Sequence, residues 1–281
     1  RGDDSEINRR DDKSEQALRN FWVRHISLAP DGLSDPPSIR ARPVAGVEAI
    51  AYLEVESQLA KEPSYVFGPL LYSLVEAGYQ PEYNLLAMPY DWRIPPFYLE
   101  ARDGYFSLFK ETIEKTHQNT GQKVVLLAHS MGNRVVHYLL NWLNQFPGGR
   151  QWISDHIHSW FAVGPPFLGA PKAIRGVVSG DKLGLDTFLS DDEGLMFARS
   201  SASTPWLFPN NKLFFQSPST EFIKRRKDAP GVVEYEDVSV PQILKEAGAE
   251  RVWKWYEDYY ARDHLYGGYP GQEVILQAPP L

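Results

Sequence analysis

The sequence predicts an α/β protein: a mostly parallel sheet with helices on both faces and an insertion over one side. Three observations predict it. Short apolar runs bounded by turn residues alternate with segments whose apolar residues recur at helical spacing. The connections between them are a few residues long, as strand–helix–strand units of a parallel sheet require. The alternation then fails after Gly164, where Pro165, Pro166 and Pro171 interrupt regular structure. A long break inside such a pattern is the mark of an inserted lid or cap.

The elements follow in order. Residues 1–20 are rich in Arg, Asp, Glu and Ser. They bury too little apolar surface to offset their ordering entropy and are expected to form a disordered polar arm. Residues 21–172 are expected to hold the α/β core, irregular up to Pro43. Phe67–Tyr79 has helical spacing, with Pro69 in the first turn and Gly78 near the stop. Asn84–Met88 is a short apolar run between turn residues and predicts a buried strand. Ala101–His117 predicts one helix, Lys123–Ala128 a second buried strand, and Gly132–Gln145 a helix with Val135, Val136, Leu139, Leu140 and Leu143 on one face. Ile157–Val163 predicts a further strand. Residues 173–210 are assigned to the lid or cap, and 211–281 to the rest of the cap and the return toward the core. The aromatic run Trp253, Trp255, Tyr256, Tyr259 and Tyr260 predicts a helix packed on the body of the protein, with a lipid-facing surface as the alternative.

Composition excludes several classes. A hydrophobic fraction of 43% in 281 residues supports a sizeable core, and a net charge of -7 argues against a nucleic-acid partner. The basic run Lys224–Lys227 reads as a solvated surface stretch or as a contact with anionic lipid headgroups. The absence of cysteine excludes disulfides, thiol chemistry and cysteine-based zinc sites. No apolar window is long enough to span a membrane. With no His-Glu-x-x-His and no calcium loop, no metal or other cofactor is expected.

Chemistry concentrates at Ala128-His129-Ser130-Met131-Gly132. A buried strand precedes this pentapeptide and an amphipathic helix follows it. That is the setting of a nucleophile elbow of the α/β-hydrolase type, here with alanine in the first small position of Gly-x-Ser-x-Gly. A serine hydroxyl needs a base to take its proton and donors to hold the oxyanion. Ser130 is the expected nucleophile, and the Met131 backbone N–H, at the start of the helix, the expected oxyanion donor. The competing reading makes Ser130 a helix N-cap at an ordinary turn. His129, adjacent to the serine, points elsewhere on such a turn and is assigned a packing or hydrogen-bonding role; His137 is read as structural.

Met88-Pro89-Tyr90-Asp91-Trp92-Arg93, the elbow in its His129-Ser130-Met131-Gly132 form, Gly164-Pro165-Pro166-Phe167-Leu168-Gly169-Ala170-Pro171 and Thr204-Pro205-Trp206-Leu207-Phe208-Pro209 occur in that order. Gly32–Pro37 adds an early segment. Through these residues the chain resembles the lecithin:cholesterol acyltransferase family, especially its phospholipid:diacylglycerol acyltransferase branch. The resemblance implies acyl transfer from a phospholipid donor to a sterol or diacylglycerol hydroxyl through an acyl-serine. It also implies peripheral contact with a membrane or lipid-particle surface in an endomembrane or secreted setting. It places a mobile lid at about Val177–Asp192, with Ser179, Gly180 and Asp181 in it, and puts Asp91 and Trp92 beside the substrate. For Asp91-Trp92-Arg93 a purely structural Asp–Arg lock is the alternative.

The family's catalytic acid lies in a Gly-Asp-x-Thr-Val segment with a later histidine, and neither is present here. Asp263 and His264 are adjacent and poorly placed to act as orienter and base for one serine. The resemblance therefore implies a sheet truncated at both ends and a fragment with little turnover alone. A phospholipase or lipase is the second reading, and a catalytically inactive lipid-binding relative the third.

Overall fold

The computed structural model describes residues 23–52, 65–181, 190–209, 223–229, 232–260 and 263. The expected polar arm, residues 182–189 of the expected lid and His264 lie outside these residues. The described residues fall into two compact units.

The first unit comprises residues 42–92 and 96–165. After a single helical turn at Glu48–Ala51, its elements are α1 (Gly68–Glu76), α2 (Pro96–Asp103), α3 (Tyr105–Thr120), β1 (Val124–His129), α4 (Gly132–Asn144), α5 (Gly149–His156) and β2 (Ile157–Val163). The single helix expected over Ala101–His117 is two. Gly104 interrupts it, and the Glu100 carboxylate turns back to accept the backbone N–H groups of Phe106 and Ser107 at 2.8 and 3.0 Å. It thereby satisfies two of the donors that α3 would leave open.

β1 and β2 pair in parallel, with Leu126 opposite Trp160 and Ala128 opposite Ala162. Leu126 and Ala128 are buried on the inner face of β1, and α3 and α4, which pack on that strand, bury Phe106, Ile113, Val135, Val136 and Leu139. The Phe106 and Tyr138 rings stack at 5.1 Å and join the two helices. The other face of β1 is open: Val125 and Leu127 alternate outward, as period-two geometry demands. The α/β class and the parallel pairing hold. The wider, mostly parallel sheet with helices on both faces is not present among the described residues, and the expected fully buried strand at Lys123–Ala128 is buried on one face.

The expected strand at Asn84–Met88 is the end of a turn followed by chain without regular secondary structure. The N–H groups of Tyr83, Asn84 and Leu85 converge on the Gln80 carbonyl, and the Asn84 carboxamide oxygen accepts the Gln80 N–H at 2.6 Å. This Asx closure uses the groups a strand would have offered to a neighbour.

The second unit comprises the described residues up to 41, with 93–95 and those from 166 onward. It holds α6 (Pro171–Ser179), α7 (Asp191–Ser200), a 3-10 turn (Thr204–Leu207), β3 (Ile223–Ala229), β4 (Val232–Val238), α8 (Val240–Glu246) and α9 (Glu250–Trp255), which runs into a π-turn (Tyr256–Tyr260). Its core gathers Ile174, Val177, Phe208, Leu244, Val252 and Trp255. Ser190 and Glu193 form a reciprocal capping box that starts α7. The aromatic run packs inward. Trp255, Tyr256 and Tyr260 are buried, and the Tyr260 hydroxyl donates to the Ala202 carbonyl at 2.6 Å.

β3 and β4 form an antiparallel hairpin separate from the parallel pair. Lys224 faces Asp237, Arg225 faces Glu236, and Lys227 faces Glu234. Arg225 also pairs with Glu246 at 2.9 Å. The basic run is thus matched by its partner strand, which favours the solvated-surface reading over a headgroup contact.

Candidate active site

β1 ends at His129, α4 begins at Gly132, and Ser130 sits between them with φ 50°. A non-glycine residue in this region is strained by roughly 1–3 kcal/mol and persists when its surroundings impose it. Here they do. The Ser130 N–H donates to the Val163 carbonyl at 2.9 Å, tying the turn to the end of β2. The Asn133 N–H and side-chain amide both donate to the Ser130 carbonyl, at 3.1 and 3.2 Å. The same amide reaches Val163 at 3.0 Å, and the Asn133 side-chain oxygen accepts the Trp160 indole N–H at 3.2 Å. Asn133 is fully buried, so its donors and acceptor are paired inside the protein. A Cβ on Gly132 would lie 3.7 Å from that of Ala128, the close strand–helix approach that small residues allow.

The outcome is a strained, exposed serine at the N-terminus of a thirteen-residue helix. The Met131 N–H has no partner among the described residues. An unpaired donor at a helix N-terminus is suited to a developing negative charge. No side chain hydrogen-bonds the Ser130 hydroxyl among the described residues. The His129 ring is edge-on to Phe67 at 6.1 Å, and His137 lies against Asn141 at 3.2 Å. His117 and His156 contact the backbone oxygens of Gln122 and Trp152.

Asp91 is buried and ion-paired with Arg102 at 2.8 Å. Arg102, desolvated but held between Asp91 and Asp103, has its pKa raised above the ordinary guanidinium value. Burial likewise pushes the Tyr90 hydroxyl well above the usual phenol range, so it stays neutral. Arg93 belongs to the other unit, where it pairs with Asp35 at 2.9 Å and donates to the carbonyls of Ile26 and Ala41. Asp91 and Arg93 are thus each ion-paired, Asp91 with Arg102 and Arg93 with Asp35. Trp92, between them, is 37% exposed.

The expected lid residues stand at a helix end. Ser179 Oγ donates to the Arg175 carbonyl at 3.0 Å, and Asp181 faces the Arg175 guanidinium at 3.4 Å. Gly180 terminates α6 with φ 77°, and a Cβ there would come within 2.6 Å of the Asp191 carbonyl oxygen. Glycine is required at that position for backbone reasons alone. The Gly164–Pro171 and Thr204–Pro209 runs meet: the Ala170 N–H donates to the Leu207 carbonyl at 2.7 Å, and Gly169 approaches the Pro209 backbone too closely for any Cβ.

Sequence reasoning missed Asn133, Trp160, Arg102 and Asp35. Asn133 alone left a trace, as a polar residue in the first turn of an otherwise apolar helix face. Among the described residues, no cluster of His, Asp and Glu could hold a metal ion, and no helix is long and apolar enough to cross a membrane.

Residues 16–257 match the lecithin:cholesterol acyltransferase family. The chain belongs to that family. A phospholipid–sterol O-acyltransferase of Arabidopsis thaliana is 36% identical over 203 residues, which cover 69% of this chain and 30% of the relative. A phospholipid:diacylglycerol acyltransferase of Saccharomyces cerevisiae is 31% identical over 207 residues, 68% of this chain and 30% of the relative. A lysosomal phospholipase A and acyltransferase of Mus musculus is 33% identical over 218 residues, 73% of this chain and 50% of the relative. The chain thus spans about 30% of the length of the plant and yeast relatives that it matches.

Proposed function

We propose that the protein is a phospholipid-dependent O-acyltransferase of α/β-hydrolase type with Ser130 as its nucleophile. The observation that carries this is the elbow itself: a serine at φ 50°, exposed between β1 and α4, in a member of this family. Ser130 Oγ attacks the ester carbonyl of a phospholipid, and its proton passes to a base outside the described residues. The Met131 N–H stabilises the oxyanion. The tetrahedral adduct collapses, the C–O bond to the glycerol breaks, and the lysophospholipid oxygen takes up the proton. The hydroxyl of a sterol or diacylglycerol then attacks the acyl-serine and restores the serine hydroxyl.

Asp91 and Trp92 serve this reaction at the substrate side, Asp91 by anchoring its segment on Arg102 and the half-exposed Trp92 by offering an apolar ring. Ser179, Gly180 and Asp181 belong to a lid that keeps water from the acyl-serine. The donor and acceptor are membrane lipids, so the protein works at a membrane or lipid-particle surface. Water as acceptor is the second reading, favoured by the exposure of Ser130 and by the joint name of the mouse relative.

The test is to give the whole protein phosphatidylcholine with a labelled acyl chain, with and without diacylglycerol or sterol. Transfer of label to a new ester, abolished by Ser130→Ala, is the expected result. Free fatty acid alone would assign hydrolysis, and label retention with the serine unreactive to a fluorophosphonate would leave a lipid-binding protein.

A further inference from the structure

A cavity of about 430 Å³ opens on the second unit, between the helical turn at 23–26, α7 and α9. Its charge is one-sided. Arg24, Arg199 and Arg251 line it, against the single carboxylate of Asp192. Arg199 is held rigidly: Nε donates to the Val177 carbonyl and Nη2 to the Ala247 carbonyl, each at 2.8 Å. These carbonyls orient the guanidinium but bring no negative charge. Among the described residues none of the three arginines has a carboxylate within ion-pairing distance. Burial lowers the Arg199 pKa from its ordinary value, as expected for a partly desolvated cation without a counter-ion. Arg251 stacks over the Trp255 ring at 5.4 Å, which fixes its direction while leaving it exposed.

The hydroxyls at the cavity do not compete as donors. Ser27 Oγ donates to the Val23 carbonyl and Ser200 Oγ to the Phe197 carbonyl. The rest of the wall is apolar, from Leu28 to Leu195 and the 41% exposed Met196. Guanidiniums lining one cavity match the several oxygens of a phosphate monoester, which accepts hydrogen bonds from each. An apolar wall beside them matches carbon attached to that phosphate and gives inorganic phosphate nothing.

We propose that this cavity binds the phosphate headgroup of an anionic lipid, with Arg24, Arg199 and Arg251 on the phosphate and Met196 and Leu195 on the adjoining carbons. The site is separate in sequence and unit from Ser130, and the inference does not depend on the acyl-transfer reading.

Binding is read without turnover. The whole protein, carrying Ser130→Ala to prevent reaction, is titrated calorimetrically with dihexanoyl phosphatidic acid below its micelle concentration. Dihexanoyl phosphatidylcholine and inorganic phosphate are parallel arms. The expected result is saturable binding of phosphatidic acid that weakens with salt and falls at least tenfold in the Arg24→Gln/Arg251→Gln double variant. Both side chains are exposed, so that variant should melt like its parent. Arg199→Gln also removes two backbone contacts and serves only as confirmation. Met196→Gln should weaken phosphatidic acid and leave inorganic phosphate unchanged. Equal affinity for inorganic phosphate would overturn the headgroup assignment in favour of a free-anion site. Phosphatidic acid binding that survives the double variant, or equal binding of the zwitterionic lipid, would overturn the site.

Discussion

The Asn133 side-chain amide donates at 3.0 Å to the Val163 carbonyl, the same oxygen that accepts the Ser130 N–H at 2.9 Å. One oxygen at the end of β2 thus receives both the elbow and the first turn of α4. Trp160 closes the arrangement by donating to the Asn133 side-chain oxygen. Asn133→Ala removes one acceptor of the half-buried Trp160 indole and leaves the turn without a strut. The expected cost is about 1–3 kcal/mol. Asn133→Asp is expected to cost more, because it sets a carboxylate against two carbonyl oxygens. Thermal melting checks both; a melting temperature unchanged in Asn133→Ala would show that the network adds nothing to stability.

Ser130 holds a φ of 50°, which glycine adopts freely. Ser130→Gly is therefore expected to stabilise the protein by up to about 1 kcal/mol while abolishing reaction with a fluorophosphonate. Ser130→Ala should abolish the reaction with no such gain. A glycine variant less stable than the alanine variant would mean that the turn is not strained by its side chain. The comparison separates the chemistry of the residue from the backbone it imposes.

The elbow was legible because its signals are local. A short apolar run, a small–x–Ser–x–small turn and a 3.6-residue period coincide within a few turns of chain. Asn84–Met88 misled because the apolar run looks the same whether or not Gln80 and Asn84 close on each other first. The hairpin β3–β4 was hidden for a different reason. Its strands are charged on consecutive positions, Lys224 to Lys227, so no alternation announces a strand. Cross-strand pairing with Glu234, Glu236 and Asp237 gives those charges their place, and pairing is not a local property. Asp91–Arg102 and Arg93–Asp35 are of the same kind: residues of one motif whose partners come from different parts of the chain.

Glu114 accepts from Lys110 and from the Trp152 indole N–H, the latter at 2.8 Å. Partial burial pushes its pKa up, but these hydrogen bonds outweigh that and hold it below the ordinary value of 4.5. A carboxylate lowered in the folded state adds stability above its unfolded pKa, and loses it as pH falls through the folded value. The wild-type melting temperature should therefore fall on acidification below about pH 4.5 more steeply than that of Glu114→Gln, with the two differing most at neutral pH. Parallel melting curves from pH 7 to pH 3 for both proteins would show that the carboxylate is not coupled to folding.

The open face of the parallel pair carries Val125, Leu127, Phe161 and Val163, exposed by 47, 42, 58 and 49%. Leu127 and Phe161 are register partners, so the apolar side chains lie next to one another across the pair. A contiguous apolar surface on two strands is a template for association. The 281-residue chain is expected to self-associate as its concentration rises. Leu127→Lys/Phe161→Glu places opposite charges in register on that face, where they are compatible with the strand pairing but not with apolar contact between copies. Sedimentation velocity should show the double variant shifted to monomer under conditions where the parent is mixed. Charging an exposed face leaves Leu126 and Ala128 on the covered side untouched, so circular dichroism should not change. A double variant that associates as its parent does would exclude this face as the contact.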